Sequence, residues 1–461
     1  MNRTNKLVKH LSQVWKQDGG KGVDVGVNVR GWVRSMRKQK RVAFVNLCDG
    51  SNSQGVQIVI DNPQTNLPAN LSVGSSLSIS GGKLVESNRN TLEIQVNDQN
   101  SIKVDGTVSS EDKYYPLSKP NLPFTFLRTI PHLRCRTNTF SAIARVRNRM
   151  TMSVHEYLQS LDLLQIHAPV ITGSDCEGAG EQFNVSCPSD PSFFGTDKSS
   201  YLTVSSQLHA EAYASALLPG VYSFGPTFRA ENSHTTRHLS EFWMVEPEIG
   251  YACLDDIVGV TEGLVRHITQ NCMEQCNEDL TVLGKKCEYE FPNRLECLVN
   301  SSQNYTRMTY NEAIACLNNS NHVFENTPKW EYGLTTEHEK YLANEYVQGP
   351  LFVTDYPKII KPFYMQESDN DTETVAAMDL LLPHVGEVVG GSVRVHDYEI
   401  LRQRLDELDG TYDWYLDLRR FGSIPHAGFG LGFDRLVQYM CGLSNIRETI
   451  PFPRHPGELL V

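Results

Sequence analysis

The chain has 461 residues, 40% of them hydrophobic and 21% charged, with a formal net charge of −12 at pH 7. That length exceeds one ordinary core, and the balance of residues excludes a disordered or collagen-like chain. No run reaches the roughly 18 apolar residues that a membrane-crossing helix needs, since the best stretch, 375–389, is broken by Asp379, Pro383, His384 and Glu387. Eleven cysteines, an odd number scattered along the chain, argue for reduced thiols rather than a disulfide framework. Net acidity weighs against a general nucleic-acid coat but says nothing about local patches.

Residues 1–22 open with Arg3, Lys6, Lys9 and Lys16, and no acid precedes Asp18. At helical spacing Leu7, Val8, Leu11, Val14 and Trp15 share one face, with the lysines on the other. This is the pattern of an organelle-targeting presequence and predicts a mitochondrial-matrix location. It equally fits a short basic helix leading into the first domain.

From residue 23 to 108 the pattern becomes short alternating segments. Val23-Val25-Val27-Val29, Phe44–Leu47, Val56–Ile60, Leu77-Ile79 and Leu92-Ile94-Val96 read as strands, separated by turn-rich stretches such as Asp49-Gly50-Ser51-Asn52. Five such strands predict a small OB-type β-barrel. Between Asp24 and Asp49 every charge is basic (Arg30, Arg34, Arg37, Lys38, Lys40, Arg41), with Trp32 and Phe44 interleaved. Basic clusters are commonly just solvated loops. Cations beside an aromatic also suit single-stranded RNA, whose backbone is tracked by charge and whose bases stack.

Pro116, Pro120, Pro123 and Pro131 make residues 109–133 a stiff hinge. Asn138-Thr139 then stand where a cap is needed for a long helix, whose apolar face runs through Phe140, Ile143, Met150, Val154, Tyr157, Leu158 and Leu161. The remainder, 134–461, alternates strand-like runs such as Val221–Phe224 and Phe242–Val245 with helices, predicting an antiparallel α+β core.

Several motifs fail on their context. Gly428-Phe429-Gly430-Leu431-Gly432 lacks the strand–turn–helix setting of a dinucleotide site, and no Walker loop is present. His338-Glu339 has no second histidine four residues on, and Cys272, Cys276, Cys287 and Cys297 lack zinc-ligand spacing. The specific signal lies elsewhere. Arg229, Glu231, Arg237, Glu241, Glu246 and Glu248 alternate with apolar residues, so one sheet face would carry many charges. Such a face is costly to bury without a charged ligand.

Phe224-Gly225-Pro226-Thr227-Phe228-Arg229-Ala230-Glu231 and Gly428–Arg435 resemble the second and third signature motifs of class II aminoacyl-tRNA synthetases. Ser174–Glu181, Leu202–Leu208, Lys361–Met365, Tyr415–Gly422 and Pro451–Arg454 extend the resemblance, which runs from about Val23 to the end. It is greatest to the asparagine-specific branch with an N-terminal anticodon-binding barrel, in its mitochondrial and bacterial forms. The resemblance implies an enzyme that uses ATP and Mg²⁺ to join asparagine to tRNA(Asn) through an adenylate, working as a homodimer without a membrane. Residue by residue it implies Arg229, Arg435 and Glu387 as catalytic groups. Arg229 would hold the α-phosphate, Glu231 would face the adenine, Arg237 and His238 would approach the outer phosphates, and Gly432 and Arg435 would complete the ATP site. Asp379 and Glu387 match the magnesium-binding acids. Glu177, Gln207, Glu246 and Arg394 match the amino-acid site, and Arg37, Phe44 and Gln57 the anticodon contacts.

The rivals are an aspartate-specific enzyme of the same class, an ammonia-dependent asparagine synthetase and an inactive RNA-binding paralogue. The predicted barrel disfavours the synthetase, and Arg229, Glu387 and Arg435 together disfavour an inactive chain. Aspartate-specific relatives carry a lysine where this chain has Ala210. Glu246 is then expected to accept from an asparagine amide and to repel an aspartate carboxylate.

Overall fold

The computed structural model describes residues 6–17, 26–87, 90–109, 115–119, 121–173, 182–190, 192–195, 199–286, 293–300, 303–369, 371–406 and 412–461. They form two compact units. The first comprises Met1–Arg145, Glu278–Lys285 and Val461, and the second Val146–Asn277 and Lys286–Leu460.

The first unit is built on β1 (Gly26–Lys38), β2 (Val42–Cys48), β3 (Val56–Asp61), β4 (Ser76–Glu86), β5 (Leu92–Val96) and β6 (Ile102–Gly106). Antiparallel pairs β1–β2, β2–β3, β4–β5 and β1–β4, with a parallel β3–β5 pair, close a five-stranded ring as the alternation predicts. A sixth strand, β6, lies outside that ring on β4. Every second residue points inward, so Val27, Val29, Val33, Ala43, Val45, Leu47, Ile58 and Ile60 are buried together.

The basic start does not stand apart from this core. Val8 and Leu11 are buried among the barrel residues, with Val14 and Trp15 packed beside them, and the Val8 N–H donates to Asp49 Oδ2 at 2.8 Å. Burying two such side chains contributes about 1.5–3 kcal/mol each. The first unit also reaches beyond the barrel and hinge in sequence. Arg145 donates to Asp279 through Nε (2.9 Å) and Nη2 (2.6 Å), and Ser53 Oγ donates to Asp279 at 2.5 Å.

The second unit adds β7 (Leu164–Gln165), β8 (Ile171–Thr172), β9 (Tyr201–Leu202), β10 (Gly220–Phe228), β11 (Glu241–Gly250), β12 (Thr306–Thr309), β13 (Leu351–Pro357), β14 (Glu367–Ser368), β15 (Asp371–Leu382), β16 (Gly386–Val393) and β17 (His426–Gly432). Its main sheet runs β12-β13-β15-β16-β17-β11-β10-β7, antiparallel except at the β12–β13 and β10–β7 pairs. This is the α+β class read from the pattern. The long helix spans Asn138–Ser160, but its cap differs from expectation: the Phe140 N–H donates to Thr137 Oγ1, one residue before Asn138. Phe140, Ile143, Met150, Val154 and Leu158 are buried, whereas Leu161 lies past the helix end and is exposed.

Register across the sheet builds the floor of a cleft. Asp379 on β15 lies opposite Gly390 on β16, which lies opposite Gly430 on β17. A methyl built on Gly430 would stand 4.0 Å from Glu246 Cγ on β11. Two acids on the same face are thus separated by two residues without side chains, about 14 Å at ~4.8 Å per strand. In the next row Ser392, Gly428 and Glu248 are level. A Cβ at Gly428 would fall 2.0 Å from Glu248 Oε2, so only glycine lets that carboxylate lie across the strand.

Candidate active site

Two cavities open on this face, of about 580 and 130 Å³. Both are lined by Arg229, Glu231, Met244, Glu387 and Gly430, so they form one continuous cleft. The smaller end also holds Arg237, His238, Phe242, Gly432 and Arg435, and the larger holds Gln207, Glu246, Glu248, Asp379 and Arg394. Arg229, Glu231, Arg237, Glu246 and Glu248 thus share the cleft with Gly430, Gly432 and Arg435, whereas Glu241, five residues before Glu246 on β11, falls on the opposite face from the one expected.

At the smaller end three arginines approach one another. Arg229 follows β10 and stacks its guanidinium 5.5 Å from the Phe242 ring centre. Arg435, in the first turn of the Phe433–Cys441 helix, donates to the Glu387 carbonyl at 2.9 Å and lies 3.6 Å from its carboxylate. Arg237 is buried against Glu339 at 3.0 Å, a partner that local sequence did not indicate. Burial, and the cation Arg435 next to it, hold the His238 imidazole below its ordinary pKa. Its Nδ1 lies 3.0 Å from Ser233 Oγ.

The two acids assigned to a metal meet over Gly390, where an added methyl would stand 3.3 Å from Asp379 Oδ1 and from Glu387 Oε1. Burial raises the Asp379 pKa, opposed by Lys361 and reinforced by the charge of Glu387. Burial also opposes ionisation of Glu387, but Arg435, Lys361, Arg237 and Arg229 outweigh it and bring the pKa below its ordinary value. Lys361 Nζ lies 3.2 Å from Asp379 Oδ2 and 3.8 Å from the centre of the Tyr356 ring. Convergent carboxylate oxygens, with Glu387 held ionised by its neighbouring cations, suit Mg²⁺, a hard ion that takes one or two carboxylates beside phosphate oxygens.

At the larger end the two acids of β11 have different partners. Arg394 does not pair with Glu246: its Nε and Nη2 each donate at 3.0 Å to the two oxygens of Glu248, while Nη1 donates to Ser392 Oγ at 2.9 Å. Glu246 is instead held by serines. It accepts from the Ser206 N–H at 3.1 and 3.2 Å, from the Ser205 and Ser206 hydroxyls, and from Ser223 Oγ at 3.4 Å. Gln207 opens the Gln207–Ala214 helix and donates through Nε2 to Glu211 at 3.0 Å. Glu177 lies outside the described residues.

The barrel residues assigned to RNA share one outer face. Arg37, Phe44 and Val59 are level across β1, β2 and β3, and Gln57 is level with Asn46 in the adjacent row. Phe44 is half-buried between inward-pointing Ala43 and Val45, so it is not a core residue of the barrel. Gln57 Nε2 donates to Glu93 Oε1 at 2.7 Å.

A closed barrel followed by an antiparallel sheet with an arginine-lined, acid-bearing cleft defines a class II aminoacyl-tRNA synthetase. The comparisons agree. Residues 27–109 match the OB-fold nucleic acid binding domain family, and residues 126–456 match the class II tRNA synthetases of the D, K and N group. The chain is 44% identical to asparagine--tRNA ligase of Borreliella burgdorferi, over 94% of this chain and 96% of that protein. It is 45% identical to the Thermosynechococcus vestitus enzyme of the same name at the same coverages. The crystal structure of asparaginyl-tRNA synthetase from Pyrococcus horikoshii complexed with asparaginyl-adenylate superposes with a TM-score of 0.82 at 32% identity, covering 95% of this chain and 97% of that one. The chain belongs to the asparaginyl-tRNA synthetase family.

Proposed function

We propose that the cleft activates asparagine at the larger end with ATP from the smaller, in the first step of attaching asparagine to tRNA(Asn). The substrate carboxylate attacks the α-phosphorus, a bond forms from carboxylate oxygen to phosphorus, and the bond to pyrophosphate breaks. A hydroxyl of the terminal ribose of tRNA(Asn) then attacks the adenylate carbonyl and AMP leaves. No protein nucleophile is needed; the protein aligns two anions and offsets developing charge. Arg229 meets the α-phosphate, Glu231 the adenine, and Arg237, His238 and Arg435 the outer phosphates. When bound, Mg²⁺ held by Asp379 and Glu387 supplies further charge to the phosphates.

The observation that carries the amino-acid assignment is the dressing of the larger end. Ala210 leaves no lysine on that helix face, Arg394 retains donors beyond its Glu248 pair, and Glu246 is a carboxylate fixed by serine donors. Pyrophosphate exchange with each of the twenty amino acids tests it, with asparagine expected to be preferred and aspartate preference overturning it. The RNA reading rests on Phe44 and Arg37 level on an outer barrel face.

Two further points belong to this proposal. The chain pairs with a second copy through the β7 edge of the main sheet. Leu164, Val170, Ile171, Leu218 and Tyr251 are exposed, and Leu164 is level with Val221 beside it. Sedimentation of Leu164→Glu should show a monomer, and a monomeric wild type would remove this reading. The chain works in the mitochondrial matrix, its basic start serving as address while Val8 and Leu11 remain part of the folded barrel. Residues 1–24 fused to a fluorescent reporter should reach mitochondria, and a diffuse cytosolic signal would count against it.

A further inference from the structure

Beneath the larger end of the cleft lies a cluster of ionisable groups that the mechanism above leaves unused. Glu211 and Tyr415 are 1% and 0% exposed, and Arg419 and His426 are also buried. Glu211 Oε2 accepts from Tyr415 Oη at 2.6 Å, Arg419 Nη2 at 2.7 Å and His426 Nε2 at 3.0 Å. Its Oε1 accepts from Gln207 Nε2 at 3.0 Å and lies 4.0 Å from Arg394 Nε.

The chemistry of these contacts fixes two atom assignments. An ionised carboxylate can only accept, so the Gln207 amide must turn its nitrogen toward Glu211. Its carbonyl oxygen is then the polar atom left for the cavity that Gln207 lines. That is the group a substrate ammonium needs. His426 is constrained in the same way. Its Nδ1 is 2.8 Å from the Ile424 carbonyl and its Nε2 is 3.0 Å from Glu211, both acceptors, so both nitrogens must carry hydrogen. Burial works against both charges. Even so, Arg419 and His426 hold the Glu211 carboxyl far below its ordinary range, and Glu211 holds the His426 imidazolium above its own.

Glu211, Glu248 and His426 bring their ligand atoms within 4.8 Å of one another, as a metal site would. The carboxylates are already engaged by the guanidiniums of Arg419 and Arg394, which fill the cation's part.

We propose that Glu211 is the positioning residue of the amino-acid subsite, presenting the Gln207 carbonyl oxygen to the substrate ammonium and backing the Arg394–Glu248 pair, with His426 as an imidazolium support. The assignment rests on the asparagine-activating reading. It places the two sides of substrate recognition on one buried carboxylate. Gln207 and Glu211 stand one helical turn apart, while Arg419 and His426 come from segments more than 200 residues away.

Asparagine-dependent pyrophosphate exchange in Glu211→Gln, Gln207→Ala and the double variant tests it. Hydrogen bonds to a charged group are worth about 1.5–3 kcal/mol, so Glu211→Gln should raise the KM for asparagine on the order of 10- to 100-fold. The KM for ATP should stay within about twofold. In the double variant the KM should rise less than the product of the two single effects, because one change already removes what the other positions. Equal rises in both KM values, or multiplicative effects, would reduce Glu211 to a general support of the fold and overturn the assignment. Should Glu211→Gln fail to fold, ¹⁵N-histidine NMR of the full wild-type chain at pH 7.5 decides. The resonance lost in His426→Gln should have imidazolium shifts at both nitrogens, and a neutral tautomer would overturn it. A wild type that exchanges with aspartate rather than asparagine would instead remove the functional reading itself.

Discussion

The outer face of the barrel and the amino-acid end of the cleft both present charge to a ligand, but they are built in opposite ways. On the barrel, Arg37 is exposed and Phe44 half-buried on strands whose other face supplies the core. In the cleft, Arg394, Glu246, Glu248 and Glu211 are all nearly inaccessible and satisfied by one another or by serines. A long flexible RNA offers many contacts, so each barrel residue can be a solvated, separable contribution. Distinguishing an amide from a carboxylate requires a site with no slack, and burial supplies it, because an unpaired polar group there is costly. Changes on the barrel should therefore act on one step, and changes in the cleft on several.

The largest effect should come from the phosphate end. Arg435→Ala or Arg229→Ala leaves phosphate charge unmatched and should slow asparagine-dependent exchange by about 10²–10³. Wild-type exchange in either would remove these arginines from the first step. Next comes Glu246. Aspartate bound about 4 Å from its carboxylate would be repelled by roughly 4 kcal/mol at an effective dielectric near 20, or several hundredfold. Comparing kcat/KM for asparagine and aspartate in Glu246→Gln should show asparagine activity lost and the gap narrowed. An undiminished preference would assign discrimination elsewhere.

Phe44→Ala should cost about 1–3 kcal/mol in tRNA charging, with exchange nearly intact. A parallel fall in exchange would mean the two regions are not separable. The smallest effect is on stability. His426 titrates above its ordinary 6.5 in the folded chain, so its contribution is complete below about pH 6.5 and is lost as pH rises through the folded value. The thermal midpoint of wild type should therefore fall relative to His426→Gln as pH rises from 6 to 9; parallel curves would show that His426 carries no such linkage.

How far these regions were legible follows from the same contrast. The barrel strands and the outward placement of Phe44 follow from period-two alternation, a property of neighbouring residues. The Arg229–Glu231 and Gly428–Arg435 segments carried the family resemblance, and through it the expectation of a phosphate-binding cleft, because each motif is contiguous. The role of Glu211 had one local trace, its position four residues after Gln207 on a helix. Its partners Arg419 and His426 had none, since nothing near them in sequence says which acid they meet.

What the sequence determined by itself was the barrel, the long helix, the α+β class of the remainder and the presence of a charged sheet face, with the ATP site assigned through the family resemblance of its motifs. What only the tertiary structure decided was the pairing: Arg394 with Glu248 rather than Glu246, Asp379 with Lys361, and Val8 and Leu11 with the barrel core. Glu246 and Glu248 share a strand, a face and a charge, so no local rule separates them. The register of the sheet does: the row of Glu248 and Gly428 carries Ser392, which accepts from Arg394 Nη1, where the row of Glu246 and Gly430 carries Gly390.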